Sequence, residues 1–532
     1  MRLFQQFRAT IVRPAVVGGA ALLFASGMPL SAFGQTPQTV QPVPAAQPAA
    51  ATVQGTPLGI EDAVRMALEN NLGVQAERLN PQIQALGIAR ANAAFTPALF
   101  SSVSRRSSTS PPTDFNTTGE GQAISTSANL NTQAGVQQNI PRFGGNYSVA
   151  FDGSRATTNN INSVFNPQLG SAFNAQITQP LLRGFKIDAL RQNVLTSQNN
   201  AVIADIQLQQ RITQTSRNVR AAYYQLIGAV SGLEVAQQSL DVARQSLRNN
   251  QTRVEVGTMA PIDITTAEAE VASNEEAVII QEAAIESAQD NLRSLLMSPS
   301  QPGFWDARFT PSEQPSLAPR QIDVDSAIRN ALENRTDLRE FKKTMENTDI
   351  GLQFAANQKL PAIDVTGRYG TTGIAGTRLD GENESPLIRS YGAALRDVFA
   401  NDFRTWSFGV NVSYPIGQST ADAAYAQAKI QKQQELTSLA QLELSITTAV
   451  RQAARDVNTN LRRVDATRRA RELAERRLEA DNKRFSVGLA TTFELLQSQR
   501  DLSQARQREL RAIIEYNQSL VDFEAVQIAP IR

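Results

Sequence analysis

The chain has 532 residues, a formal net charge of +1, and neither cysteine nor histidine. Without these two residue types there can be no thiolate or imidazole metal site, no cysteine nucleophile and no triad with a histidine base. The near-neutral charge gives no basic footprint for nucleic acid, and no glycine-rich phosphate loop or nucleophile elbow occurs. We therefore expect no enzymatic activity, no cofactor, no bound metal and no nucleic-acid partner.

The N-terminal segment 1–34 has the features of a secretory signal peptide. A basic start is followed by an apolar run at 15–25 and by small residues suited to cleavage at 32–34. A membrane anchor is the alternative, but the run is shorter than the ~20 apolar residues that an anchor needs. Residues 35–57 are rich in proline, glutamine and alanine, a composition that predicts a disordered leader.

The pattern of apolar and polar residues then changes from one typical of helices to one typical of strands. Residues 58–94 have a helical pattern, whereas 126–140, 147–152 and 173–178 alternate apolar with polar side chains. The polar face of the first of these segments is rich in amides: Asn129, Asn131, Gln133, Gln137 and Asn139. This pattern suits a strand with lipid on one side and water on the other, although a strand of a soluble sheet would also alternate.

One very long helix is predicted over 185–256. No proline occurs from 181 to 260, and large apolar residues recur at steps of seven. We call this stripe of apolar residues, which would pack against a neighbouring helix, the seam of the helix. Its residues are Ile212, Val219, Leu226, Leu233, Leu240, Leu247 and Val254. Small residues three positions later allow a partner helix to approach closely. A turn at 256–261 leads to a returning helix over 262–297, so the two helices form a hairpin roughly 100 Å long.

The same order of predicted helices and strands then occurs a second time, which predicts an internal duplication. The segment 63–70 resembles 327–334, strands are predicted at 362–369 and 405–416, and a long proline-free helical region fills 416–529. The predicted boundaries are repeat 1 at 58–298, a linker at 299–321, repeat 2 at 322–529 and a tail at 530–532.

The two halves differ in two respects. The seam of the second long helix, Val450, Val457, Val464, Leu478 and Phe485, is interrupted by Arg471. Matching positions before the strands are 264 apart and those after them 235 apart, so the first half has 29 extra residues (264 − 235). One additional β-hairpin around 143–145 would explain them. We expect the polar segments to be loops: 107–123, 156–170 and 375–402.

One chain alone cannot pair the edges of its predicted strands or close them into a barrel. Strands with one apolar and one polar face cannot have open edges in a bilayer, and four to six of them are too few to enclose water. Several copies would therefore have to close a shared β-barrel, and their long helices would continue it as a tunnel. The predicted fold class is a mixed α+β membrane channel made mostly of long helices.

The order of these features resembles the TolC family of outer-membrane efflux proteins over 58–526. The resemblance is carried by the Ala-Leu-Glu-Asn helices, the strands ending at 179–182 and 414–416, and two helical tips. It implies a homotrimer with a β-barrel in outer-membrane lipid and an α-barrel of coiled-coil hairpins in the periplasm of a Gram-negative-type cell. It also implies docking to a periplasmic adaptor (membrane fusion) protein and an inner-membrane transporter, for efflux or type I secretion.

The resemblance further implies that the adaptor contacts the two tips. The tip residues are Val256, Gly257 and Thr258 in the first hairpin, and Val487, Gly488 and Leu489 in the second. The alternative reading of Gly257 and Gly488 is that each allows a tight reversal between two helices. The two roles are compatible.

The family also has an acidic constriction at its periplasmic entrance. Asp263 and Glu494 occupy the matching positions here, where copies from several chains would attract cations; the alternative is that both are ordinary acids in a first helical turn. Phe485 and Ala490 stand where the best-known gate of the family has a tyrosine and an arginine that bond to the first tip, and Gln497 stands where a second acid often lies. We therefore predict that apolar packing holds the closed entrance more than ionic latches do.

Two rival interpretations remain from the sequence. One is a non-transporting periplasmic coiled-coil scaffold, which would wash off the membrane. The other is a general porin, which would conduct constitutively without an adaptor or a pump.

Overall fold

The computed structural model describes residues 55–111, 124–160, 162–315, 317–378, 387–417 and 419–527. The signal peptide, most of the leader and the tail lie outside the described residues. The strands are β1 Thr56–Leu58, β2 Ala98–Ser110, β3 Ser125–Asn139, β4 Asn146–Thr158, β5 Phe165–Pro180, β6 Phe309–Pro311, β7 Ala362–Arg378, β8 Ile388–Arg389 and β9 Arg404–Ser413. The helices are α1 Ile60–Asn70, α2 Leu72–Ala93, α3 Ala189–Glu255, α4 Ile262–Leu296, α5 Val324–Asn334, α6 Thr336–Gln358, α7 Tyr391–Ala400, α8 Thr420–Ser486 and α9 Thr492–Gln527.

The long helix α3 confirms the predicted rod and its seam. Asp188 caps its N-terminus by accepting a hydrogen bond from the backbone N–H of Arg191 at 2.8 Å. Val219 and Leu226 are fully buried, and the small residue Ala222 between them is buried as well. The returning helix α4 and the earlier helix α2 both pack on α3. At 35 residues α4 has about half the length of α3, so α2 supplies the other packing partner.

The second half contains the same kind of rod. Helix α8 has 67 residues, as α3 does, and its partner α9 has 36. Arg471 interrupts the seam as predicted, and its guanidinium reaches Glu475 at 2.9 Å and also contacts Glu509. Burial alone would lower the pKa of Arg471, but the bonds to the two carboxylates outweigh it and raise the pKa. In the described part of the chain, no helix is both long and apolar enough to cross a membrane.

A short two-stranded sheet corrects two of the sequence predictions. Strand β1 pairs in parallel with β6, with Thr56 opposite Phe309. The leader was predicted to be disordered to residue 57, yet Thr56 and Pro57 belong to β1, and the linker, for which no element was predicted, contributes β6. The reason is local packing: Leu58 and Phe309 are buried in the core around Val219 and Leu226.

The main sheet has six long strands in the order β2-β3-β4-β5-β7-β9, with every neighbouring pair antiparallel, and the two-residue strand β8 pairs with the C-terminal end of β7 as a seventh. The predicted strands are all present, and β3 and β4 form a hairpin with Phe143 and Gly144 in its turn. Strand β2 was missed because its serine-rich sequence has no clear alternation. The loop predictions were too long: β2, β4, β5 and β7 extend into them, and the third predicted loop contains the helix α7.

Candidate channel wall and entrance

One face of the six-stranded sheet is apolar across its whole width. The cross-strand register places six side chains in one row, one from each strand: Leu99, Val136, Val149, Ala175, Tyr369 and Trp406. Neighbouring rows on this face add Phe151 opposite Phe173. Because both strands of the extra hairpin contribute to the row, the hairpin is a continuous part of this surface.

The opposite face is polar across the same six strands. The row next to the apolar one contains Ala98, Gln137, Ser148, Gln176, Arg368 and Ser407. Further along this face Asn174 Nδ2 donates to Asp152 Oδ2 at 2.6 Å. A sheet with one apolar and one polar face of this extent separates an apolar phase from water.

The sheet has two open edges, β2 and β9. Leu99 on β2 and Trp406 and Phe408 on β9 are 82, 73 and 67 % exposed, so one chain leaves its apolar face uncovered. With six antiparallel strands in sequence, β2 and β9 run in opposite directions. The β2 edge of one copy is therefore suited to antiparallel pairing with the β9 edge of another.

The two helical tips have the same backbone geometry. Gly257 and Gly488 have φ angles of +77° and +80°. In the first tip the N–H of Gly257 donates to the Val254 carbonyl and that of Thr258 to the Arg253 carbonyl, both at 2.9 Å. Such a pair of bonds defines a Schellman turn. Gly488 and its successor make the matching pair of bonds in the second tip, so the turn role of both glycines is clear.

The predicted tip residues lie in open surroundings. No atom lies within 4 Å of a side chain placed on Gly257 or Gly488. Several apolar side chains at the tips are about two-thirds exposed: Val256, Ile262, Val487, Leu489 and Phe493. The sequence analysis did not identify Ile262 and Phe493 as tip residues, because each occupies an ordinary position in the first turn of a helix. Exposed apolar clusters of this kind mark contact surfaces.

The two acidic residues predicted at the entrance differ in their hydrogen bonding. Glu494 caps its own helix: its carboxylate accepts the backbone N–H of Thr491 at 2.8 Å, and the Thr491 hydroxyl accepts the N–H of Glu494 at 3.2 Å. This arrangement is a capping box. Asp263 is half-buried in the first turn of α4 and makes no side-chain hydrogen bond or ion pair within the described residues. Its carboxylate therefore differs from that of Glu494 in having no side-chain partner among the described residues, although its place in the first turn still suits the helix dipole.

Phe485 lies against a cation that the sequence did not suggest. The guanidinium of Arg253, in the last turn of α3, is 4.5 Å from the centre of the Phe485 ring. Its Nη1 also approaches the Phe485 carbonyl at 3.4 Å. The contact joins the two hairpins next to their tips. Gln497 does not take part, because its Nε2 donates to Asp501 within α9 at 2.8 Å.

A second link between the hairpins is an ion pair. Arg500 Nε on α9 donates to Glu270 Oε2 on α4 at 2.7 Å, and the Glu270 side chain is only 8 % exposed. Donation of this hydrogen bond to the Glu270 carboxylate raises the pKa of Arg500. Nearer the tips, a crevice of about 600 Å³ is lined by Asn250, Arg253 and Phe485. The two hairpins are thus joined by polar contacts and separated by a polar crevice.

Comparison with known proteins agrees with this architecture. Residues 125–297 and 327–526 match the family described as outer membrane efflux protein. Outer membrane protein TolC of Escherichia coli (strain K12) is 21 % identical over 388 residues, which cover 71 % of this chain and 72 % of that protein.

Two solved structures have the same fold. A membrane protein from Pseudomonas aeruginosa aligns with a TM-score of 0.64 and 16 % identity, over 88 % of this chain and 90 % of that one. The Campylobacter jejuni CmeC outer membrane channel aligns with a TM-score of 0.63 and 14 % identity, over 88 % and 85 % of the two chains.

The sheet and the long helical hairpins define a channel-forming membrane protein. The chain belongs to the outer membrane efflux protein family, of which TolC is a member. It is an outer-membrane efflux channel and not an enzyme.

Proposed function

We propose that this chain is the outer-membrane channel of a tripartite efflux or type I secretion system. It would pass substrates from an inner-membrane pump, through a periplasmic adaptor, across the periplasm and the outer membrane. The observation that carries the proposal is the six-stranded sheet, apolar on one face and polar on the other, joined to two helical rods of about 100 Å. A sheet of this kind needs lipid on one side, and rods of that length can reach far from the membrane.

The sheet closes only with further copies of the chain. Pairing β2 of one copy with β9 of the next removes both open edges, which a bilayer requires. In the homotrimer that the family implies, three copies of the six strands make a barrel of 18 strands. Barrels of about this size leave an aqueous channel along their axis. The extra hairpin therefore widens the wall.

The matched elements support an internal duplication. Each half has two short helices, strands, a 67-residue helix, a Schellman turn and a helix about half as long. In this proposal repeat 1 spans 58–298 and repeat 2 spans 322–529, with the periplasmic mass formed by α3, α4, α8 and α9.

The helical tips form the periplasmic entrance and the adaptor-docking surface. The exposed apolar cluster at the tips is the surface offered to the adaptor. Asp263 supplies the acidic constriction, because its carboxylate is free, whereas Glu494 is engaged in its capping box. Asp263→Asn should reduce the permeability ratio of potassium to chloride more than Glu494→Gln does. Reversal potentials in a salt gradient measure the two ratios, and equal effects would contradict the assignment.

Purification and reconstitution test the main proposal. The chain, extracted from outer membranes only by detergent, should migrate as a trimer in native mass spectrometry and should give discrete currents in planar bilayers. A peripheral scaffold would be released by high salt or alkali and give no current. A general porin would conduct fully in the absence of adaptor and pump, whereas the proposed channel has a low resting conductance that the adaptor raises. A monomer without current would overturn the proposal.

A further inference from the structure

The long helices of one chain form a layer with two free edges. Near the tips, α4 packs against α3, α3 against α9, and α9 against α8. Nearer the sheet, α2 packs against α3, and α6 lies between α3 and α8. The order across the layer is therefore α4-α3-α9-α8 near the tips and α2-α3-α6-α8 near the sheet. One edge is α8, and the other edge is formed by α4 and α2.

The free side of α8 carries a row of cations. On the side opposite the seam of this helix, exposed arginines recur at steps of seven in the part near the tip. The row consists of Arg455, Arg462, Arg469 and Arg476. None of the four makes an ion pair within the described residues. The positive charge of the row is therefore not neutralised by the described part of its own chain.

The edge formed by α4 carries the opposite charge. This helix contains eight acidic residues and a single basic one. Glu270 and Glu275 already have arginine partners in the same chain. Glu268, Glu276 and Glu282 are exposed, and none of them makes an ion pair or a side-chain hydrogen bond within the described residues. Three free glutamates on one edge of the layer thus match the free arginines on the other edge.

The two helical tips lie at the same height, which allows the two edges to be compared. The contact of Arg253 with Phe485 joins a residue 4 positions before Gly257 (257 − 253) to one 3 positions before Gly488 (488 − 485). The ion pair between α4 and α9 joins positions 13 and 12 residues after the same two glycines (270 − 257 and 500 − 488). Equal distances along the chain from the two tips therefore correspond to equal heights.

The free arginines and the free glutamates are at matching heights. Along α8 the distances from Gly488 are 12, 19 and 26 residues (488 − 476, 488 − 469 and 488 − 462), for Arg476, Arg469 and Arg462. Along α4 the distances from Gly257 are 11, 19 and 25 residues (268 − 257, 276 − 257 and 282 − 257), for Glu268, Glu276 and Glu282. A difference of one residue is only about 1.5 Å along a helix.

The strands of the proposed barrel bring the two edges together. Strand β9 leads into α8, and α2 leads into β2. When β9 of one copy pairs with β2 of the next, α8 of the first copy therefore lies beside α2 and α4 of the second. Nearer the sheet this contact is apolar, because Leu72, Leu79 and Leu86 are exposed on α2 at steps of seven. On α8, Ile430 and Leu444 are exposed at the corresponding edge.

We propose that the arginines of α8 form ion pairs with the free glutamates of α4 in a neighbouring copy and so align the copies near the periplasmic entrance. The proposal rests on the proposed function, because it requires several copies around one channel. The pairs are Arg476 with Glu268, Arg469 with Glu276, and Arg462 with Glu282. A single exposed ion pair contributes little, but a row of three pairs at matched heights also fixes which residues of the two copies lie opposite each other.

Cysteine cross-linking tests this contact directly, because the chain has no native cysteine. In Arg469→Cys/Glu276→Cys a short bismaleimide should join neighbouring copies and give covalent trimers on a denaturing gel. Arg455→Cys/Glu276→Cys is the matched control. Arg455 belongs to the same row but is 33 residues from Gly488 (488 − 455), hence 14 residues (33 − 19) and about 21 Å too high for Glu276. The first variant should give about tenfold more covalent trimer than the control.

The two ways to fail are distinguishable. If native mass spectrometry finds the parent protein to be a monomer, the proposed function itself fails. If the parent is a trimer but the two cysteine variants cross-link equally, or neither cross-links, the copies do not meet through these rows and the inference is overturned.

A charge swap tests whether the pairs stabilise the assembly. Arg462→Glu/Arg469→Glu/Arg476→Glu should raise the protein concentration needed for half-assembly of the detergent-solubilised trimer about tenfold. Adding Glu268→Arg/Glu276→Arg/Glu282→Arg reverses both members of every pair and should restore assembly. A combined variant that assembles no better than the arginine variant alone would show that the arginines do not pair with these glutamates.

Discussion

The two helical tips share a backbone but differ in how their buried polar groups are satisfied. Gly257 and Gly488 are 231 positions apart (488 − 257), and so are Asn250 and Asp481, both of which are buried. Asp481 accepts a hydrogen bond from Ser498 Oγ at 2.6 Å. Asn250 has no hydrogen-bond partner for either of its side-chain polar atoms within the described residues.

The difference has a simple origin in sequence. The residue that matches Ser498 in the first hairpin is Ala267, also 231 positions earlier, and alanine has no hydroxyl to offer. The second tip is therefore held by its own side chains. Near the first tip, polar side chains instead contact the second hairpin, Arg253 at Phe485 and Glu270 at Arg500.

The largest expected effect on the free energy of unfolding comes from the buried pair Asp481 and Ser498 near the second tip. Asp481→Ala leaves the Ser498 hydroxyl buried and unpaired, and should lower the free energy of unfolding by about 2–3 kcal/mol. Asn250→Leu removes polar atoms that have no partner, and should raise it by about 1 kcal/mol. Urea unfolding of the detergent-solubilised protein, followed by helical circular dichroism, measures both. Losses of the same size in the two variants would show that the tips are equivalent.

The turn glycines should behave alike, because neither has a neighbour to collide with. An alanine at Gly257 or Gly488 must adopt a positive φ, which costs roughly 1–2 kcal/mol. Hydrogen exchange of the Thr258 and Leu489 amides, which close the two turns, should accelerate about tenfold in each variant. Gly351→Ala is the control: this residue is in the middle of α6 with open space around it, so alanine should not destabilise there. A clear difference between the tips would reveal a contact at one of them.

The long helices were predicted from the seven-residue periodicity of their apolar residues. Seven-residue seams and the lack of proline predicted α3, α4 and α8 within a few residues, because each of these helices buries one stripe against a neighbour. Helix α9 followed from the proline-free stretch after the second tip. The turn at each tip followed from a glycine between two such stripes. Arg471 was recognised as a break in the seam, but its partner Glu509 was not, because no local pattern identifies an ion pair between two helices.

The sheet and the contacts between hairpins were less predictable. Strand β2 is an edge strand with few apolar residues, so its pairing with β3 decides its structure. Helix α7 was not predicted because it has only ten residues inside a segment that is otherwise polar, and it packs on glycines of distant strands. The contact of Arg253 with Phe485 joins residues 232 positions apart, and the sequence could indicate only that Phe485 faces the seam.

The link between the hairpins should affect resting conductance. Phe485→Ala removes both the ring and its packing, and Arg253→Gln removes only the cation. A cation–π contact of about 1 kcal/mol corresponds to roughly a fivefold change in the ratio of open to closed channels. Both variants should therefore raise the current of the resting channel in planar bilayers, Phe485→Ala the more strongly.

Phe485→Leu separates the two contributions. Leucine keeps the apolar packing but has no ring for Arg253. If packing contributes most to holding the entrance closed, as the sequence predicts, Phe485→Leu should conduct nearly like the parent protein, and Arg253→Gln should raise the current much less than Phe485→Ala does. If Phe485→Leu instead matches Arg253→Gln, the cation is the main element. Unchanged conductance in Phe485→Ala would remove Phe485 from the gate altogether.

The smallest expected effect is the most direct test of the comparison between tips. Ala267→Ser gives the first hairpin the hydroxyl that Ser498 provides in the second, within reach of the Asn250 side chain if the two tips are equivalent. One new buried hydrogen bond should raise the free energy of unfolding by about 0.5–1 kcal/mol. In the Asn250→Leu background the serine has no partner, so the gain should disappear. This double-mutant cycle isolates the pair, and a gain that persists without Asn250 would mean that the serine acts elsewhere.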